Sequence, residues 1–222
     1  MKNLKFDRFL WLILPFSAAI WFARAATTPG ALSGAWEFLK IMPDVITADV
    51  LVAWLFVKWM WKWPVFKGWL VPFPDLNGTW QGTIQTTWVN EKTGKTPSPI
   101  PTILVINQSF VHISCVMRTG EMTSHSYSAE FVFDEESGTK SLVYTYSSKP
   151  KPTVADRSER HDGTIVFEII GDPAKKLKGQ YWTARKTTGE IDLQFKTEKK
   201  LDDLPAKLPP HPVSVAEAGP SV

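Results

Sequence analysis

The sequence predicts two transmembrane α-helices followed by an all-β, eight-stranded antiparallel up-and-down β-barrel. Three observations predict this. Two long apolar stretches are confined to the first third of the 222 residues, and the pattern after Pro72 changes to apolar/polar alternation with period two. The alternating runs are then separated by short Gly-, Asn- and Ser-containing segments of the kind that close hairpins. Charge divides the same way. Up to Asp75 there are eight Lys and Arg against five Asp and Glu, and the remainder is balanced at seventeen of each, so the whole net +3 lies in the first third with eight of the eleven Trp. A neutral C-terminal two thirds excludes DNA or RNA as partner, because sequence-independent affinity for those polyanions comes from clustered cations. A single Cys, Cys115, excludes an internal disulfide framework and a Cys-rich zinc site.

The first helix is placed at about 9–27. Its residues 9–23 (FLWLILPFSAAIWFA) carry no charge and are bracketed by Lys2, Lys5 and Arg8 on one side and Arg24 on the other. Alone they cover roughly 22 Å, so the AATT after Arg24 is needed to approach the roughly 30 Å of a hydrocarbon core. A basic start and a short apolar run also mark a signal peptide. The second stretch, 45–63 (VITADVLVAWLFVKWMWKW), decides for a membrane hairpin. Its charges, Asp49, Lys58 and Lys62, lie near its ends, and Trp59, Trp61, Trp63 and Trp69 form an interfacial belt. The rival for 45–63 is a buried or interfacial helix. The joining loop is read as holding Thr28-Pro29-Gly30 and Met42-Pro43. Lys2, Lys5 and Arg8 fall on the same face as Lys58, Lys62 and Lys67, which places the N-terminus and the domain after the hairpin in the cytoplasm and the chain in an inner membrane as a multi-pass protein. The domains are thus 1–71, a helical hairpin; 72–198, a barrel; and 199–222, a Pro-rich flexible tail.

The strands follow in order. Trp80, Ile84 and Trp88 alternate with Thr79, Gln81, Thr83 and Gln85, giving one apolar and one polar face to the first strand. The others are read at 102–108, 110–119, 122–134, 140–148, 163–170, 177–186 and 190–197. Uniform hairpin connections favour a barrel over a sandwich, since closure removes exposed edges. A barrel of eight strands is either filled by side chains or holds one small ligand. Its candidate inward faces carry Tyr144 and Tyr146, Tyr181, Thr183 and Arg185 among apolar neighbours such as Leu142, Ile165, Phe167 and Leu193. Buried hydroxyls and guanidinium groups need partners, so a wet cavity or a polar, anionic ligand is implied. Arg185 reads either as a ligand contact or as a cation stacked on Trp80, and Tyr144 and Tyr146 either as ligand contacts or as core aromatics. The long loop from Lys149 to Asp162 holds Arg157, Arg160 and His161, groups suited to phosphate at a barrel mouth.

No catalytic residues and no metal ligands emerge. The four His (His112, His125, His161, His211) have no ligand spacing, and neither a nucleophile elbow nor a phosphate-cradling Gly loop is present. Cys115 alternates with Val111, Ile113 and Met117 as a small core residue. The chain reads as a non-enzyme without a cofactor.

Two N-terminal apolar helices, then Pro72-Phe-Pro-Asp-Leu-Asn-Gly-Thr-Trp-Gln-Gly82, then Leu142, Tyr144 and Tyr146, His161-Asp-Gly163 and Leu177-Lys-Gly-Gln-Tyr-Trp-Thr-Ala-Arg185 form an ordered set over nearly the whole chain apart from the tail. This set resembles the two-transmembrane, β-strand-rich effectors of bacterial CBASS anti-phage systems, whose barrel is a receptor for cyclic dinucleotides. The resemblance implies a cyclic dinucleotide ligand made by a cognate cyclase, self-association of the membrane segments in the lipid bilayer, inner-membrane disruption and abortive infection. Two phosphates and two bases call for a few cations and aromatic faces, for which Arg118, Arg157, Arg185, Thr183, Trp80, Tyr144, Tyr146 and Tyr181 are the candidates. Gly78-Thr-Trp80 also resembles the first-strand signature of lipocalins, so a membrane-tethered lipocalin-like carrier of an apolar molecule is the alternative. A third reading is an assembly module with a filled barrel.

Overall fold

Strands with one apolar face and short connections close on themselves when each pairs with the next, and eight do so here. The computed structural model describes residues 6–30, 34–91, 93–134 and 136–218. Lys2 and Lys5 of the basic start and residues 219–222 of the tail lie outside them. The chain divides into two compact units, 2–73 and 74–222.

In the first unit, α1 (Phe6–Thr27) and α2 (Ala35–Lys58) form a hairpin. Ser17 Oγ donates to Asp49 Oδ2 at 2.8 Å, Arg24 pairs with Asp44 at 2.6 Å, and Phe9 meets Phe56 edge to face. The expected loop is shorter than the sequence suggested, because α2 starts ten residues before position 45 and runs through Pro43. A proline inside a helix removes one backbone hydrogen bond, a loss that does not end α2. Only α1, over Asp7–Thr27, is long and apolar enough to cross a membrane, among the described residues. Its partner has the length, but Glu37, Lys40, Asp44 and Asp49 interrupt its first fifteen residues.

The second unit is a closed antiparallel barrel of β1 (Gly78–Thr86), β2 (Ile100–Gln108), β3 (Ile113–Thr119), β4 (Met122–Asp134), β5 (Thr139–Pro150), β6 (His161–Ile170), β7 (Lys176–Thr183) and β8 (Thr188–Thr197), each bonded to its sequence neighbours, with β8 returning to β1. Two boundaries differ from the sequence reading in ways that matter. β6 begins at His161, which shortens the β5–β6 loop, and β7 ends at Thr183, which puts Arg185 in a turn rather than in a strand.

Register stacks the inward residues in layers. Trp80, Leu104 and Met117 stand side by side on β1, β2 and β3, and Leu142, Phe167, Gly179 and Ile191 form a layer across β5 to β8. All of these except Gly179 belong to a single core, in which Trp80, Leu104, Leu142 and Phe167 lie away from the cavity described below and Met117 and Ile191 reach its floor. Trp80 is 1% exposed, donates its indole N–H to the Leu76 carbonyl at 2.9 Å and packs edge to face with Phe195.

Beyond β8 the chain does not hang free, contrary to the expected flexible tail. Thr79 Oγ1 donates to the Lys199 carbonyl at 2.7 Å and accepts from the Leu201 N–H at 3.1 Å, while Arg118 Nη1 reaches the Leu201 carbonyl at 3.5 Å. Thr79 lies on β1 and Arg118 on β3, so Leu201 bridges across the outer face of β2. That face carries Ile103 and Val105, both buried. A short helix, α3 (Pro212–Ala218), follows. Leucines and a valine spaced through the Pro-rich segment give this strap enough apolar surface to dock.

Candidate ligand-binding site

The barrel is filled at one end and hollow at the other. Where β1, β3, β5 and β7 finish, a cavity of about 160 Å³ opens among Ile84, Met117, Ile165 and Ile191 below and Thr86, Tyr146, Tyr181 and Thr183 above. Its rim is built by loops: Ser158 and Arg157 from the β5–β6 connection, Arg185 from the β7–β8 turn, Glu121 from the β3–β4 turn.

Two aromatics owe their positions to glycines facing them. A Cβ on Gly163 would sit 2.5 Å from the Tyr146 hydroxyl, and one on Gly189 would sit 2.6 Å from the Tyr181 ring. Glycine on the neighbouring strand therefore lets each ring lie across the barrel. Tyr181 shares a side-chain hydrogen bond with Thr86, and burial, opposed by that bond, pushes its phenol upward. Burial likewise holds the Tyr146 phenol well above its ordinary range. Both are neutral hydrogen-bonding groups at pH 7.

Arg185 is set by its turn. Lys186 takes a positive φ of 61°, its N–H donates to the Thr183 carbonyl at 3.0 Å, and the Thr183 and Thr187 hydroxyls bond at 2.7 Å. The guanidinium then reaches Ser158 Oγ at 3.3 Å. Burial lowers its pKa, but an arginine remains a cation. His161 on β6 lines the same cavity. Burial, with Arg185 nearby, shifts it downward, so it presents a neutral imidazole at pH 7.

Glu121, only 5% exposed, is the most heavily coordinated group at the rim. Arg157 grips it with both nitrogens, at 2.9 Å to Oε2 and 2.5 Å to Oε1. His211 Nδ1 lies 2.8 Å from Oε1, and Ser214 Oγ donates to the same oxygen at 2.5 Å. Burial disfavours the carboxylate, but the hydrogen bonds from His211, Arg157 and Ser214 outweigh it and hold the pKa at about 2.

Of the eight candidates, Tyr146, Arg157, Tyr181, Thr183 and Arg185 converge on the cavity. The other three do not. Trp80 is sealed in the filled end, so Arg185 does not stack on it. Tyr144 is fully buried below the cavity, and its hydroxyl has no partner among the described residues. Arg118 faces outward and holds the strap. Cys115 is core, its thiol pushed upward by burial. Among the described residues no group of three His, Cys, Asp or Glu side chains is placed to hold a metal ion.

The sequence reading missed Thr86, Glu121, Ser158 and His211. One signal was available: β2 reads Ile100-Pro-Thr-Ile-Leu-Val-Ile106, apolar on both faces, and a strand of that kind needs a cover on its outer side. A wider depression of about 680 Å³ on the outer wall is lined by Glu168, Glu190 and Asp192 against a single Lys178, a charge pattern that repels anions.

Comparison with known proteins agrees with this geometry. Residues 71–195 match the family described as Cap15, cyclic dinucleotide receptor domain. The chain is 27% identical over 157 residues to CD-NTase-associated protein 15 of Staphylococcus schleiferi, covering 71% of this chain and 80% of that protein. It is 28% identical over 163 residues to CD-NTase-associated protein 15 of Escherichia albertii, covering 70% and 80%.

Proposed function

The chain belongs to the Cap15 cyclic dinucleotide receptor family of CBASS effectors, and from that premise we propose that the open end of its barrel binds a cyclic dinucleotide made by a cognate cyclase. The observation that carries this reading is the pairing of two guanidinium groups, Arg157 and Arg185, with two transverse phenols, Tyr146 and Tyr181, around one cavity. The cations meet the phosphates and the rings offer faces to the bases. Thr183, Ser158 and the neutral His161 supply further hydrogen bonds at the rim.

The helical hairpin anchors the barrel at the cytoplasmic face of the inner membrane: α1 crosses the bilayer, and α2, less apolar, crosses beside it with Asp49 and Asp44 partnered by Ser17 and Arg24 of α1. Ligand binding favours an assembled state over the monomer, and the assembled hairpins disrupt the membrane, ending growth of the infected cell. Such a switch needs only that the ligand bind the assembled state more tightly. The family role is that of a receptor, and the site proposed here binds without catalysis.

The test is titration of the full chain in detergent micelles with cyclic di-AMP, cyclic di-GMP and cyclic GMP-AMP, followed by calorimetry. Saturable binding of at least one is expected; no binding of any refutes the receptor reading. In cells, growth arrest is expected only when a cyclic-dinucleotide synthase is co-expressed, and its occurrence without the synthase refutes the switch.

A further inference from the structure

The cavity as it stands is too small for the ligand class assigned to it. It measures about 160 Å³, against roughly 300–1,000 Å³ for sites that enclose drug-sized molecules, and a cyclic dinucleotide is larger than most of those. Part of what reduces it comes from the far end of the chain. His211 and Val213 line the cavity and are only 9% and 4% exposed, and Gly120 packs closely against His211, where a Cβ would lie 3.0 Å from the His211 Cβ. The strap thus climbs the outer wall from Lys199 and folds over the rim.

The polar contacts show what the strap holds in place. Arg157, a rim cation, is occupied bidentately by Glu121, and His211 and Ser214 of the strap complete the coordination of that carboxylate. A phosphodiester presents a guanidinium with the same two-oxygen geometry that Glu121 does. Resting on the receptor reading above, we propose that residues 208–218 are a displaceable plug: the strap and the Glu121 carboxylate occupy the mouth and the anion position on Arg157, and an entering cyclic dinucleotide takes that position and releases the strap. Closed strap and bound ligand exclude each other, so the apparent affinity is the intrinsic one reduced by the closed fraction. Binding is thereby coupled to the exposure of a C-terminal segment.

Three proteins in detergent, each with the hairpin and barrel, test this: the natural chain, a chain ending at Lys207, and the double variant His211→Ala/Ser214→Ala. The shortened chain keeps the bonds of Lys199 and Leu201 to Thr79, so the cover of β2 begins intact. Each is titrated with the three cyclic dinucleotides named above, and deuterium uptake over 208–218 is followed with and without nucleotide. Both variants are expected to bind the preferred nucleotide about tenfold more tightly, the gain from removing a closed fraction of about 90%. Nucleotide is expected to raise deuterium uptake of 208–218 in the natural chain. Should the shortened chain fail to melt cooperatively, the double variant, whose barrel residues are all retained, carries the comparison. Measurable binding with dissociation constants unchanged by the variants and uptake unchanged by nucleotide overturns the plug and leaves the receptor reading standing. Absence of binding by every form overturns both.

Discussion

Replacement of Glu121 by Gln keeps the shape of the side chain and removes its charge, so it isolates what the carboxylate contributes to folding. The folded-state pKa is held at about 2 against an ordinary value of 4.5. Because the folded value is the lower, the contribution is fully present above pH 4.5 and is lost as pH falls toward 2. A difference of about 2.5 units at 1.36 kcal/mol each gives about 3 kcal/mol near pH 6, falling to roughly 1.4 kcal/mol at pH 3. For a unit of this size that corresponds to a melting-temperature deficit of roughly 6–12 °C for the variant at pH 6. The assay is thermal unfolding of both proteins in the same detergent from pH 6 to pH 3. Taking the difference between them cancels the other carboxylates. The gap should narrow by about half across that range. A gap that stays constant with pH, or one of less than about 1 kcal/mol at pH 6, would refute the argument that an ionised Glu121 is clamped by Arg157, His211 and Ser214.

Three further outcomes follow from side chains with defined surroundings. Arg185→Ala should weaken cyclic-dinucleotide binding by about 10- to 100-fold, the worth of one charge-assisted hydrogen bond, with unchanged melting; an apolar fluorescent ligand bound equally by both proteins would instead support the lipocalin-like reading. Tyr144→Phe removes a buried hydroxyl that has no partner among the described residues, so thermal melting should show no loss and a gain of up to about 1 kcal/mol. Gly163→Ala drives a Cβ to within 2.5 Å of the Tyr146 hydroxyl and 2.8 Å of the Trp182 carbonyl; it should lower stability by about 1–3 kcal/mol and, by displacing Tyr146, also weaken binding.

The barrel was legible because its strands alternate and its turns are short, and neither property depends on distant contacts. Period two also identified Tyr146, Tyr181 and Thr183 as inward-facing. It could not say how far along the barrel each stands. Trp80 and Tyr146 have the same inward sense, yet one lies in the filled end and the other in the hollow end. Depth follows from the register and stagger of eight strands, and no single strand encodes those. Glu121 illustrates a second limit. In sequence it is one residue of the Thr119-Gly120-Glu121 turn, and its meaning comes from Ser214, 93 positions away. Composition likewise misled in the tail, where frequent proline lowers the expectation of order although the intervening leucines still bury surface. In the hairpin, Pro43 marks a loop by its local preference, yet α2 runs through it.

A charge-balanced barrel has to solve a problem that a basic one does not. A guanidinium held partly out of water, with no anion beside it, destabilises the empty receptor by several kcal/mol. A basic surface would raise that cost further, by adding repulsion between cations. Arg157 is instead neutralised by a carboxylate of its own chain, so the unliganded fold keeps its stability and the cation stays fixed in the orientation a phosphate requires. In the proposed site the consequence is competition: a dianion has to displace Glu121 before it gains Arg157. Monoanions, which bring one charge against the one they expel, gain little from the exchange. A dianion that engages Arg185 at the same time gains a second charge-assisted contact, at a guanidinium that bonds the Ser158 hydroxyl and lies in the field of Glu159, with no ion pair to a carboxylate among the described residues. If the proposed site holds, discrimination between one phosphate and two arises from the internal ion pair itself, without a basic patch and without any contact to the bases.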